Sequence, residues 1–132
     1  MCPKVLDNLR VPKHADFEAT FKTLRALLKP YERHFVVIVD KPGKYYLSTK
    51  TSKTRSGAAI WFGGVAIKKN YVSFYLIPVY AAPALLKGLS PSLLKRMQGK
   101  SCFNFAAIDP AHVEELAALT KKGFDGFFKK FP

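Results

Sequence analysis

Between residues 71 and 79 the chain alternates, with Val72, Phe74 and Leu76 on one side and Tyr71, Ser73, Tyr75 and Ile77 on the other. A period of two sends successive side chains to opposite faces of an extended backbone, so the segment predicts a β-strand with one apolar and one hydroxyl-bearing aromatic face. Residues 45–50 repeat the pattern, Tyr45, Leu47 and Thr49 against Tyr46, Ser48 and Lys50. Residues 35–39 are short and β-branched, and the turn Lys41-Pro42-Gly43-Lys44 joins the two into a hairpin. Residues 58–62 and 65–68 read as two further strands around a Gly63-Gly64 turn, and Lys69-Asn70 turns the chain into 71–79. Residues 102–105 give a last strand, with Phe103 and Phe105 inward and Cys102 and Asn104 opposite.

Around these strands the apolar period changes to three and four. Phe17, Phe21, Leu24, Leu27 and Leu28 form one stripe after Asp16, a residue suited to capping a helix, and Pro30 stops it. Pro83 opens a short helix ended by Gly88, and Ser90-Pro91 opens another running to Met97 and closed by Gly99. Asp109-Pro110 repeats the cap-and-proline device before a long helix carrying Val113, Leu116, Thr120, Phe124, Phe127 and Phe131, whose last turns Gly123 and Gly126 weaken. The expected architecture is α+β, an antiparallel sheet of about five to six strands packed by N- and C-terminal helices. Residues 1–132 form one domain, with 1–15 a polar entry arm and 16–131 the globular core. Residues 51–56, Thr-Ser-Lys-Thr-Arg-Ser, lack any apolar side chain and are expected to be a mobile loop.

Composition narrows the function classes. A chain that is 48% hydrophobic can bury a core, yet no apolar run approaches the ~18 residues of a membrane span. Cys2 and Cys102 do not suggest a disulfide framework, and the first residues lack an apolar signal segment, so a reducing cytoplasm is expected. Lys and Arg total 22 against 9 Asp and Glu, a formal charge of +13 that favours anionic partners.

Enzyme signatures are weak. His14, His34 and His112 show no metal-ligand spacing, and His112 reads as a first-turn surface residue, so no metal or cofactor is expected. Cys102 reads as a small, partly buried apolar residue on a strand beside two phenylalanines. Glu114 and Glu115 are adjacent on a helix and point apart, which does not suit paired acid–base work. The reading is a non-enzymatic protein. Trp61, Tyr46, Tyr71, Tyr75 and Tyr80, with Lys50, Arg55, Lys68, Lys69 and Lys100, form an aromatic and basic set that could stack bases and hold phosphates, or be covered by a helix as core. The phenylalanines of 121–131 are expected to close the core while the lysines there stay in water.

Trp61-Phe62-Gly63-Gly64-Val65, Tyr71-Val72-Ser73-Phe74-Tyr75 and Gly99-Lys100-Ser101-Cys102-Phe103-Asn104-Phe105 together resemble the YdhG-like domain family of small bacterial proteins. The resemblance spans most of residues 16–130 and is strongest from about 57 to 128. It implies an antiparallel sheet packed by helices, loosely frataxin-like. One branch of that family is described as frataxin-like iron chaperones, so intracellular iron binding and delivery is one alternative function. Nucleic-acid binding through the basic aromatic face is another. The leading expectation is a small binding domain whose cleft, lined by Trp61, Tyr75, Tyr80, Lys100 and Asn104, takes an anionic small molecule. The oligomeric state is left open.

Overall fold

The computed structural model describes residues 16–131; the entry arm assigned to 1–15 lies outside the described residues. Asp16 accepts a hydrogen bond from the Ala19 N–H at 2.9 Å and starts helix α1 (Phe17–Leu28), satisfying an amide that a first turn leaves without a carbonyl partner. Phe21, Leu24 and Leu28 are its buried stripe. The α-helix ends before Pro30, and a 3-10 segment (Lys29–His34) leads into the sheet.

Six strands follow: β1 (Val36–Lys41), β2 (Lys44–Lys53), β3 (Ala59–Ile67), β4 (Val72–Leu76), β5 (Met97–Gln98) and β6 (Cys102–Phe105). They pair in the order β1-β2-β3-β4-β6-β5, each neighbour antiparallel. Helix α2 (Ile77–Ala81), a 3-10 turn (Pro83–Leu86) and α3 (Pro91–Leu94) lie between β4 and β5, and α4 (Pro110–Lys130) closes the chain. The α+β class with an antiparallel sheet is as expected.

The register explains which face is core. Tyr45, Val65, Phe74 and Phe103 stand directly opposite one another across four strands, and all four are buried. Side chains so aligned share a face, and this one meets the helices. Phe62 joins the layers: its ring lies 4.4 Å from Phe35, 6.0 Å from Tyr31 and Phe124, and 5.7 Å from Phe127. The C-terminal phenylalanines close the core while Lys121, Lys122, Lys129 and Lys130 are exposed, as the composition of that segment implied.

Five local expectations need correction. Gly63-Gly64 is no turn: β3 runs through both glycines, and neither has a positive φ. The strand expected over 71–79 ends at Leu76, because Pro78 enters the first turn of α2, where its missing N–H breaks no ladder bond. The loop expected over 51–56 is narrower: β2 continues to Lys53, and Thr54 to Ala58 form a hydrogen-bonded turn around Gly57 (φ +88°). The helix after Ser90-Pro91 stops at Leu94, so Met97–Gln98 pairs with β6. His112 is buried, sharing a 2.8 Å hydrogen bond with Ser92 Oγ and lying beside Phe105. Gly123 likewise serves α4: a Cβ there would come within 2.9 Å of Pro78 Cβ, so its absence lets α4 approach α2.

At the hairpin edge, the Tyr45 hydroxyl donates to Glu32 at 2.6 Å and Lys29 donates to the same carboxylate at 2.9 Å. Arg25 lies 4.5 Å over the Tyr45 ring while it bonds Asp40 at 3.0 Å. The Lys29 and Tyr45 hydrogen bonds hold the Glu32 carboxyl below its ordinary range, and burial pushes the Tyr45 phenol up. A carboxyl depressed on folding stabilises the fold above its unfolded pKa, and that support is lost as pH falls through the folded value. Glu32→Gln is therefore expected to lower the urea midpoint at pH 7 and to flatten its decline between roughly pH 5 and pH 3. An unchanged acid slope would show that Glu32 contributes nothing to it.

Candidate functional sites on the sheet face and at its end

The face turned away from the helices is built by the alternate residues of the same strands. Its central row runs Tyr46, Gly64, Tyr75, Cys102 and Gln98 across five strands. Tyr46 organises it. Its ring lies 4.8 Å from Trp61 and meets Tyr75 edge-on at 6.3 Å. Gly64 makes this possible: a Cβ there would fall 2.2 Å from Tyr46 Cδ1, so the ring occupies the space that a side chain would take. Burial raises the Tyr46 phenol pKa, Tyr75 adds to the rise, and Lys68 opposes it. Trp61 remains 40% exposed.

One row on, Ser73 stands opposite Asn104, and both are buried. The Ser73 hydroxyl donates to Asn104 Oδ1 at 2.6 Å, and the Cys102 thiol donates to the same oxygen at 3.3 Å. Asn104 thus serves the sheet itself, tying β4 to β6 through a charge-free polar contact.

A second region lies where β4 leaves the sheet. Pro78 and Pro83 favour the immediate helical turns that follow, placing Val79, Tyr80 and Leu86 around a groove of about 590 Å³. Gly99, with φ +72°, turns the chain from β5 to β6 in a conformation costly to other residues, and so brings Lys100 to the rim. The Lys100 ammonium sits 5.8 Å from the centre of the Tyr80 ring, within cation–π range. Met97 and Pro83 complete the apolar wall, and Tyr80 is 60% exposed.

The five residues expected to share one cleft are therefore divided. Trp61 and Tyr75 belong to the sheet face through Tyr46, Tyr80 and Lys100 line the groove, and Asn104 is buried in a hydrogen-bonded pair. The physical reason is the strand end at Leu76: the switch to helix carries Tyr80 out of the sheet that holds Tyr75. All of Trp61, Tyr75, Tyr80 and Lys100 still lie toward the same end of the sheet, since Gly63 pairs with Leu76 and the Leu76 N–H donates to the Ser101 carbonyl. Sequence reasoning placed Tyr46 beside Ser48 and Lys50 on one side of its strand and in the aromatic and basic set, without seeing its central position. Leu86 and Met97 carried no signal beyond their apolarity.

Among the described residues, no three His, Cys, Asp or Glu side chains gather as a metal site. Asp109 caps α4 by accepting from the Ala111 N–H, and Glu115 accepts from the Ser90 N–H; the Ser90 hydroxyl, and after it this N–H, hold the Glu115 carboxyl below its ordinary range. No helix among those residues is long and apolar enough to cross a membrane. The chain matches no protein-family model, no curated protein and no solved structure.

Three substitutions probe this geometry. Gly64→Ala should displace the Tyr46 ring and cost about 1–3 kcal/mol in denaturant unfolding, with a change in Trp61 emission. A wild-type emission spectrum and midpoint would show that the ring does not need the vacant position. Ser73→Ala and Asn104→Ala should be non-additive, with a coupling of about 0.5–3 kcal/mol in a double-mutant cycle; strict additivity would refute their contact.

Proposed function

We propose that this chain is a non-enzymatic, cytoplasmic binding domain of the YdhG-like type whose groove at Tyr80 and Lys100 accepts a small anion with an apolar or aromatic body. The observation that carries the reading is the Lys100 ammonium poised over Tyr80 at the mouth of an otherwise apolar groove. A groove of this size falls within the roughly 300–1,000 Å³ usual for small-molecule sites. Its walls also have the usual division of labour. Val79, Pro83, Leu86 and Met97 offer dispersion and desolvation to a hydrocarbon or ring, with Met97 able to adjust its shape. Lys100 supplies the charge-assisted hydrogen bond that would select a carboxylate, sulfonate or phosphate over a neutral group. The net charge of +13 adds a long-range attraction for any such ligand.

A naphthalene sulfonate whose emission rises on desolvation, titrated into the full chain, tests the reading. Binding is expected with micromolar to millimolar affinity. Lys100→Met should weaken it about three- to tenfold. Leu86→Trp should fill the groove and abolish it, while a neutral naphthalene amide should discriminate little between wild type and Lys100→Met. Equal binding by all three proteins would remove the groove as the site.

A further inference from the structure

The sheet face carries a property that neither the groove nor the fold requires. Apart from Asp7, which lies outside the described residues, every carboxylate sits on the helix layer or points toward it. Asp16 and Glu18 belong to the start of α1, and Glu32 to the 3-10 segment. Asp109, Glu114, Glu115 and Asp125 belong to α4 or its cap. Asp40, the one acid in a strand, pairs opposite the core residue Tyr45 and bonds Arg25 of α1. Among the described residues, the opposite face therefore carries cations and no carboxylate. Lys44 stands opposite Ala66 on it, and Lys68, which continues its side of β3, is close enough to act on the Tyr46 phenol. Lys41 lies directly across from Lys44 at the closed end of the hairpin, a like-charge pair that costs stability until an anion compensates it.

We propose that this face binds single-stranded nucleic acid, with Trp61, Tyr46 and Tyr75 stacking bases and Lys44 and Lys68 holding the phosphates. The two features demand different things of a partner. A face whose described residues include cations and no carboxylate attracts any polyanion through released counterions. The aromatic cluster, with Trp61 exposed at its edge, adds a gain only for a polymer whose rings are free to stack. Single strands meet both demands; in a duplex the bases are already stacked, and a baseless polyanion has none to offer. The argument is independent of the Tyr80–Lys100 groove and stands if that groove binds nothing.

Trp61 is the only tryptophan in the chain, so its emission reports on the face directly. The full chain is titrated with a short oligothymidylate, an oligoadenylate RNA, a DNA duplex of equal length and inorganic polyphosphate, at several salt concentrations. Expected are quenching of Trp61 by both single strands, tighter binding of these than of duplex or polyphosphate, and a steep fall in affinity with salt. With a labelled oligonucleotide followed by anisotropy, Trp61→Ala and Tyr46→Ala should each weaken binding about tenfold, and Trp61→Phe should retain most of it. Lys44→Gln with Lys68→Gln should reduce the log–log salt slope by about 1.4. Lys121→Gln with Lys129→Gln, on α4, should leave affinity and slope nearly unchanged. Should Tyr46→Ala unfold the chain, the exposed Trp61 variants decide the question alone. Duplex or polyphosphate binding as tightly as the single strands, Trp61→Ala binding like wild type, or no binding at low salt would each overturn the proposal.

Discussion

Two neighbouring glycines in the middle of β3 set the thickness of this molecule on both sides of the sheet. At Gly63 a Cβ would stand 3.2 Å from Leu28 of α1 and 2.8 Å from the Tyr75 carbonyl; at Gly64 it would collide with the Tyr46 ring. Removing both side chains lets α1 settle onto the strand from one face and a tyrosine lie flat on it from the other. Interiors are packed to near crystalline density, so a single methyl group at either position has no room unless a layer shifts. The core row, the aromatic cluster and the placement of Trp61 all presuppose this close approach.

The same pair shows where the sequence could mislead. Double glycine is a strong hairpin signal when only local backbone freedom is weighed, and Gly63-Gly64 reads as a turn on that basis. Its true role depends on Leu28 and Tyr46, which lie 35 and 18 positions away along the chain and become neighbours only through strand order. Features fixed by nearby residues were legible: the caps at Asp16, Ser90 and Asp109, the stripe on α1, the Pro42-Gly43 turn, and the alternation of β2 and β4. Where two local rules compete, as with Pro78 inside an alternating segment, the rule forbidding a ladder donor prevailed and the strand ended. The candidate site suffered most from that error. Tyr75 and Tyr80 share a run of aromatic and apolar residues, yet the strand-to-helix switch between them assigns them to different surfaces.

Charge is distributed with more order than composition suggests. Among the described residues, charges scattered along the chain become, once folded, a sheet face that carries cations without carboxylates and a helix layer of mixed sign. Lys44 and Lys68 flank the aromatic cluster on one face, and Lys100 meets Tyr80 at the end of the sheet. Ser73 and Asn104 are buried on that face, where the Ser73 hydroxyl and the Cys102 thiol both donate to Asn104 Oδ1.

Amide hydrogen exchange across Ala59–Ile67 tests the continuity of β3 most directly. The amides of Gly63, Gly64 and Val65 lie in a strand paired on both sides, so they should exchange as slowly as those of Phe74 in β4, at rates set by global unfolding. Rapid exchange confined to Gly63 and Gly64, with slow exchange on either side, would reveal a turn at that point and contradict the account.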